Sequence, residues 1–93
     1  MQTQVVSNSS PIIHLAKIER LDLLQAFFGQ VWVPVAVYEE CLIEGKGRPE
    51  VATIEQASWL RVVSVTNQHL VRLLSAEIDR GEAEAIALAL GID

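Results

Sequence analysis

The stretch VWVPVAVYEECLI, residues Val31 to Ile43, decides the fold. Val31–Val33 is a compact run of β-prone residues, and Pro34 closes it. Proline suits the opening of a helix, where its missing N–H has no partner to lose. Val35–Ile43 then reads as that helix. A strand feeding directly into a helix is the building unit of an α/β sheet.

The same punctuation recurs on both sides. Gln4–Val6 reads as a short strand running into Ser7-Asn8-Ser9-Ser10-Pro11. That cluster is helix-start chemistry, with Ser10 as N-cap and Pro11 at the first helical position. A short helix over Ile12–Lys17 follows. Arg20–Phe28 carries Leu21, Leu24, Phe27 and Phe28 at helical spacing, and Gly29 is its stop. Downstream, Gly45-Lys46-Gly47-Arg48-Pro49 ends the helix that Pro34 opened. Glu50–Ala57 reads as helix and Trp59–Val65 as a third strand. Asn67 can cap a helix from Gln68 to Ile78. Asp79 can cap the last helix, with Glu82 at its third position in a capping-box pattern and Gly91 as its end. The order β-α-α-β-α-α-β-α-α predicts an α/β layer fold with a parallel sheet.

Composition narrows the function. Ninety-three residues make one small domain, 1–93. Such a chain buries only about 60–65% of its unfolded surface, so its stability margin is thin. A content of 51% hydrophobic and 20% charged residues argues for a packed core and against disorder. The net charge of −5 and the lack of a basic block exclude nucleic-acid binding by phosphate neutralisation alone. Cys41 is the only cysteine, which excludes a disulfide framework and a zinc-type cysteine cluster. No apolar run reaches the roughly 20 residues that span a bilayer. The start of the chain lacks the regions of a signal peptide, so a cytoplasmic protein with no membrane partner is expected.

Three polar groups stand out against this apolar background. Asn8 sits at the carboxyl end of the first strand. Glu39 and Glu40 sit in the helix after the second strand. Glu82 and Glu84 open the last helix, GEAEAIALALG (residues 81–91), which is otherwise apolar and alanine-rich. Parallel sheets bind ligands beyond the carboxyl ends of their strands, and the first turns of both acidic helices can face that crevice. Clustered carboxylate and carbonyl oxygens suit Mg²⁺ or Mn²⁺. Such a site can activate water for attack on a phosphodiester.

VVSNSSPIIHLAKIERLDLLQAFF, then VWVPVAVYEECL, then DRGEAEAIALAL, resemble the PIN-domain family, and most of all its branch of small VapC-like proteins. The resemblance runs over essentially the whole chain, with the motifs in the expected order and spacing. It implies a five-stranded parallel sheet between helices and a Mg²⁺- or Mn²⁺-dependent ribonuclease site built from three or four acids. It also implies RNA as substrate, a small antitoxin protein as partner, and a homo-oligomer. By position, Asn8 occupies the place of the first-strand aspartate. Glu40 matches the acid after the second strand, with Glu39 the weaker candidate. Glu82 matches the acid of the penultimate helix, with Glu84 as the alternative. The resemblance puts the fourth acid and two further strands beyond Asp93, so the fold is expected to be truncated after its third strand. Asparagine offers a neutral oxygen where the family has a charge, so weakened or absent metal binding is expected.

Each of these residues also has a plainer reading. Asn8 can be a turn residue bonded to its own backbone, and Glu40 a solvated helix acid. Glu82 fits the capping box as well as it fits a metal site, and Glu84 fits a first-turn acid favoured by the helix dipole. His14 and His69 have no paired ligand at helical spacing. Cys41 reads as a small buried hydrophobe, Trp32 and Trp59 as core, and Lys46 and Arg48 as solvated loop. Gly45-Lys46-Gly47 lacks the spacing of a phosphate loop. Two functions of different class follow: a metal-dependent endoribonuclease, or a catalytically inactive remnant that binds a partner protein through its apolar surface.

Overall fold

The computed structural model describes residues 4–91. Asp93, beyond which the resemblance puts the remaining strands, lies outside them. Three strands and six helices alternate as the sequence predicts: β1 (Val5–Val6), α1 (Ser9–Lys17), α2 (Asp22–Phe28), β2 (Val31–Pro34), α3 (Val35–Glu44), α4 (Glu50–Gln56), β3 (Leu60–Val63), α5 (Gln68–Leu74) and α6 (Arg80–Gly91). The sheet is parallel throughout, in the order β1-β2-β3. Val5 pairs with Val31, and Val31 with Leu60. Ser7 extends the first ladder, its N–H donating to the Trp32 carbonyl at 3.0 Å.

Two apolar clusters form the core, and the larger one holds helices to this sheet. The larger takes Ile12, Ile13 and Ala16 from α1, Val31 and Val33 from β2, Val37 and Cys41 from α3, Ile54 from α4 and Leu60 from β3. Alternate residues of a strand point to opposite faces, so Val31 and Val33 enter this core while Trp32 points away from it. Both valines are fully buried. The smaller cluster joins Val65 and Val71 to Ala83 and Ala87 of α6. The alanines bring α6 close to α5, because a methyl group is the whole side chain at each contact.

Several boundaries move, each for a local reason. Helix α1 begins at Ser9 and its N-cap is Asn8, not Ser10. Pro11 does not mark the start, because every N–H in a first turn is without an intrahelical partner and proline is tolerated there. Helix α2 begins at Asp22 rather than Arg20. Its expected stop holds, with Gly29 at a φ of 72° and its N–H bonded to the Gln25 carbonyl. Strand β3 is shorter than Trp59–Val65, since Val65 leaves the sheet to join the second cluster. Helix α5 ends at Leu74 rather than Ile78, and Ile78 turns back against that cluster. Both expected caps form: Asn67 Oδ1 accepts from Leu70 N at 3.1 Å, and Asp79 Oδ1 accepts from Glu82 N at 2.9 Å. Gly91 is the last described residue of α6, as expected.

Candidate active site

Glu40 on α3 lies within electrostatic reach of two acids at the start of α6, Asp79 and Glu82. Pro34 starts α3 at the carboxyl end of β2, and this sets Glu40 one and a half turns further on. Its Oε2 accepts from Ser9 Oγ at 3.5 Å. That bond puts the turn after β1, which carries Asn8, beside the Glu40 carboxylate. On its other side lies the first turn of α6. A Cβ on Gly81 would overlap Glu40 Oε1 and sit 2.9 Å from its Cδ and 3.5 Å from Asp79 Oδ1. Glycine is therefore what lets the carboxylate lie against this helix. Ala36, Glu39, Glu40, Ile43, Asp79, Arg80 and Gly81 line an open cleft of about 450 Å³.

The cleft is electrostatically strained. The Glu40 carboxyl is raised above its usual range by burial, then by the charges of Asp79 and Glu44, with Glu82 a smaller contributor and the Ser9 hydroxyl opposing. Glu82 is raised by its hydrogen bond to the Asp79 side chain, then by the Asp79 charge. The Asp79 charge thus bears on both Glu40 and Glu82. Because Glu40 titrates higher folded than unfolded, the folded state holds the extra proton between those values. Its contribution to stability is fully present below the ordinary value of 4.5 and is lost as pH rises through the raised value. Glu40→Gln is accordingly expected to melt higher than the native protein at pH 7. The gap should close as pH falls below 4.5, which thermal denaturation across that range measures.

The remaining sequence candidates fall out unequally. Asn8 is exposed at the N-cap of α1, and its side chain makes no capping bond. Glu39 is exposed on the cleft wall. Glu82 is exposed, and it is capped by Asp79 through its backbone, as a helix start requires. Glu84 points elsewhere. It is 4% exposed, its Oε1 accepts from Ala36 N at 3.1 Å, and its Oε2 pairs with Arg80 Nε at 3.3 Å. Asp79 is the residue that sequence reasoning treated only as a cap. Its place three residues before Glu82 was the available signal, but its nearness to Glu40 depends on α3 packing against α6.

Elsewhere the plainer readings hold in part. His14, His69, Lys46 and Arg48 are exposed. Cys41 is fully buried, and burial pushes its thiol up to about 12, which keeps it protonated and unreactive. Trp59 packs against the larger core. Trp32 does not. It lies half-buried on the opposite face of the sheet, with the Arg61 guanidinium 5.6 Å from its ring centroid.

The donors around Glu40 are all oxygens, which is the chemistry hard ions such as Mg²⁺ and Mn²⁺ take. Among the described residues no three of His, Cys, Asp and Glu are grouped to hold an ion, so a neutral donor such as Asn8 would have to complete the set. No described helix is long and apolar enough to cross a membrane.

This is an α/β domain with an acidic cleft beyond the carboxyl ends of its parallel strands. Residues 4–93 match a family model described as a PIN domain (DUF3368), and the chain belongs to the PIN-domain family. No curated protein and no solved structure matches it.

Proposed function

We propose that the protein acts in the manner of a metal-dependent endoribonuclease of the PIN type, on the VapC-like pattern, with the cleft around Glu40 as its site. The observation that carries this reading is the Glu40 carboxylate held against Gly81, at the junction of the two acidic helices of a PIN-family chain. Glu40 and Glu82 would hold Mg²⁺ or Mn²⁺, and Asn8 would add a neutral oxygen. Glu84, the sequence alternative to Glu82, has both oxygens engaged by Ala36 and Arg80, which favours Glu82 as the ligand. When bound, such an ion supplies an activated water and a counter-charge for the phosphodiester. With a net charge of −5, the chain has little other means of drawing RNA to this acidic cleft. A small antitoxin protein and a second copy of the chain are the partners this reading implies.

A second reading has its own support. Asn8 carries no charge, and the described acids do not group in threes. On that account the chain is an inactive interaction module. Calorimetric titration with Mn²⁺ separates the two. Under the enzyme reading the native protein binds weakly, and Asn8→Asp tightens binding about tenfold or more, since a third close carboxylate beside Glu40 and Glu82 is worth a few kcal/mol at intermediate dielectric. Equal affinities would place Asn8 outside the metal's reach and favour the module.

A further inference from the structure

Helix α3 has an unusual start. Its N-cap is Pro34, which has no side-chain acceptor, and no side-chain capping bond forms there. The first N–H groups of a helix need partners from somewhere. One of them, Ala36 N–H, finds its partner 48 residues away in the Glu84 carboxylate. Glu84 is itself buried, and Arg80, one turn earlier on α6, holds its other oxygen.

The spacing ties this bond to the cleft. On α6, Gly81 and Glu84 are about one turn apart. On α3, Ala36 and Glu40 are also about one turn apart, on the same side of the helix. Gly81 meets Glu40, and Glu84 meets Ala36. The two helices therefore run past each other in opposite directions, touching at two points one turn apart. One contact is a partly buried hydrogen bond. The other is the close approach that places the Glu40 carboxylate.

We infer that Glu84 is a positioning residue: by capping α3 from α6, it fixes the height at which Glu40 lies against Gly81. The inference rests on the reading of Glu40 as the working carboxylate. It assigns Glu84 a role different from that of a metal ligand. What matters in this role is an acceptor oxygen at Ala36 N, not the negative charge. Glu84→Gln keeps that acceptor and Glu84→Ala removes it.

Two measurements decide it. The first needs no activity: a proton cross-relaxation peak between Gly81 Hα and Glu40 Hγ, together with the Ala36 amide shift. The native protein and Glu84→Gln should show both, and Glu84→Ala should lose the peak and shift the amide. If the alanine variant does not fold, Glu84→Gln still carries the test, because loss of the peak there overturns the inference. The second is RNA cleavage with Mn²⁺. Glu84→Ala should lower kcat about 10- to 100-fold with KM little changed, as expected for a misplaced group, and Glu84→Gln should recover most of it. A glutamine variant as inactive as the alanine variant, with the cross-peak intact, would make Glu84 a ligand and overturn the inference. If the native protein does not cleave RNA, the enzyme reading fails, and the cross-peak comparison alone judges Glu84.

Discussion

Replacing Gly81 with alanine is expected to cut RNA cleavage about 100-fold while leaving the melting temperature unchanged or higher. The added Cβ would overlap Glu40 Oε1 and press on its Cδ. Both atoms belong to the far end of a flexible side chain. Glu40 can therefore swing out of the way at little cost to the backbone. The fold gains as well, because alanine is favoured over glycine inside a helix by up to about 1 kcal/mol, less this near the start. The carboxylate that leaves is the one the cleft is built around. Thermal denaturation and cleavage assays on the same preparation measure both effects. A destabilised variant with native turnover would show that Gly81 serves packing and not Glu40.

A polypeptide of residues 1–93 is expected to self-associate and to unfold with a small stability margin. Strand β1 has two residues, and it pairs only with β2 among the described residues. The Ser7 N–H points to β2, so by the alternation of a strand the Val6 N–H and C=O face the other way. Around the starts of β1 and β2, Gln4, Val5, Phe27, Phe28, Gly29, Gln30 and Trp32 line an open cleft of about 670 Å³. Phe27 is 77% exposed and Phe28 50%. Unpaired backbone beside exposed aromatic side chains invites another chain to pair there. Sedimentation velocity over a concentration series should show mass rising with concentration. A monomer at every concentration, unfolding cooperatively at an ordinary temperature, would contradict this.

Most of the fold is legible in the sequence because its punctuation is chemical and local. Pro34, Gly29 and the Gly45–Pro49 loop separate elements by what their backbones permit. Asn67 and Asp79 cap helices through oxygens three residues from the N–H they accept. Where the local chemistry is permissive, the sequence under-determines the boundary. Pro11 fits any position of a first turn, so α1 could begin at Ser9 without conflict. Val65 is as β-prone as its neighbours, yet it packs with Val71 of α5 and Ala83 and Ala87 of α6 beyond the end of the strand.

The site divides in the same way. Residue type picks out Glu39 and Glu40 together, and the resemblance to the PIN family chooses Glu40 and gives it a role. The partners of Glu40 are a matter of packing. Gly81, Asp79 and Ser9 reach it only once α1 and α6 close on α3. Glu84 makes the point most clearly. By spacing it is a first-turn acid next to Glu82, yet its side chain is spent on the start of a helix 48 residues earlier. No local pattern encodes that bond. The signal that existed was Pro34 itself, a helix start with no acceptor of its own.

The central claim is that Glu40 works as a charged oxygen on a bound divalent ion to break RNA. The most direct measurement is cleavage of a single-stranded RNA with and without Mn²⁺, by the native protein and by Glu40→Gln, with folding checked by thermal denaturation at the same pH. The account predicts Mn²⁺-dependent cleavage by the native protein and loss of at least about 100-fold in the variant. That variant should be as stable as the native protein or more so. Cleavage that survives in Glu40→Gln would contradict the account.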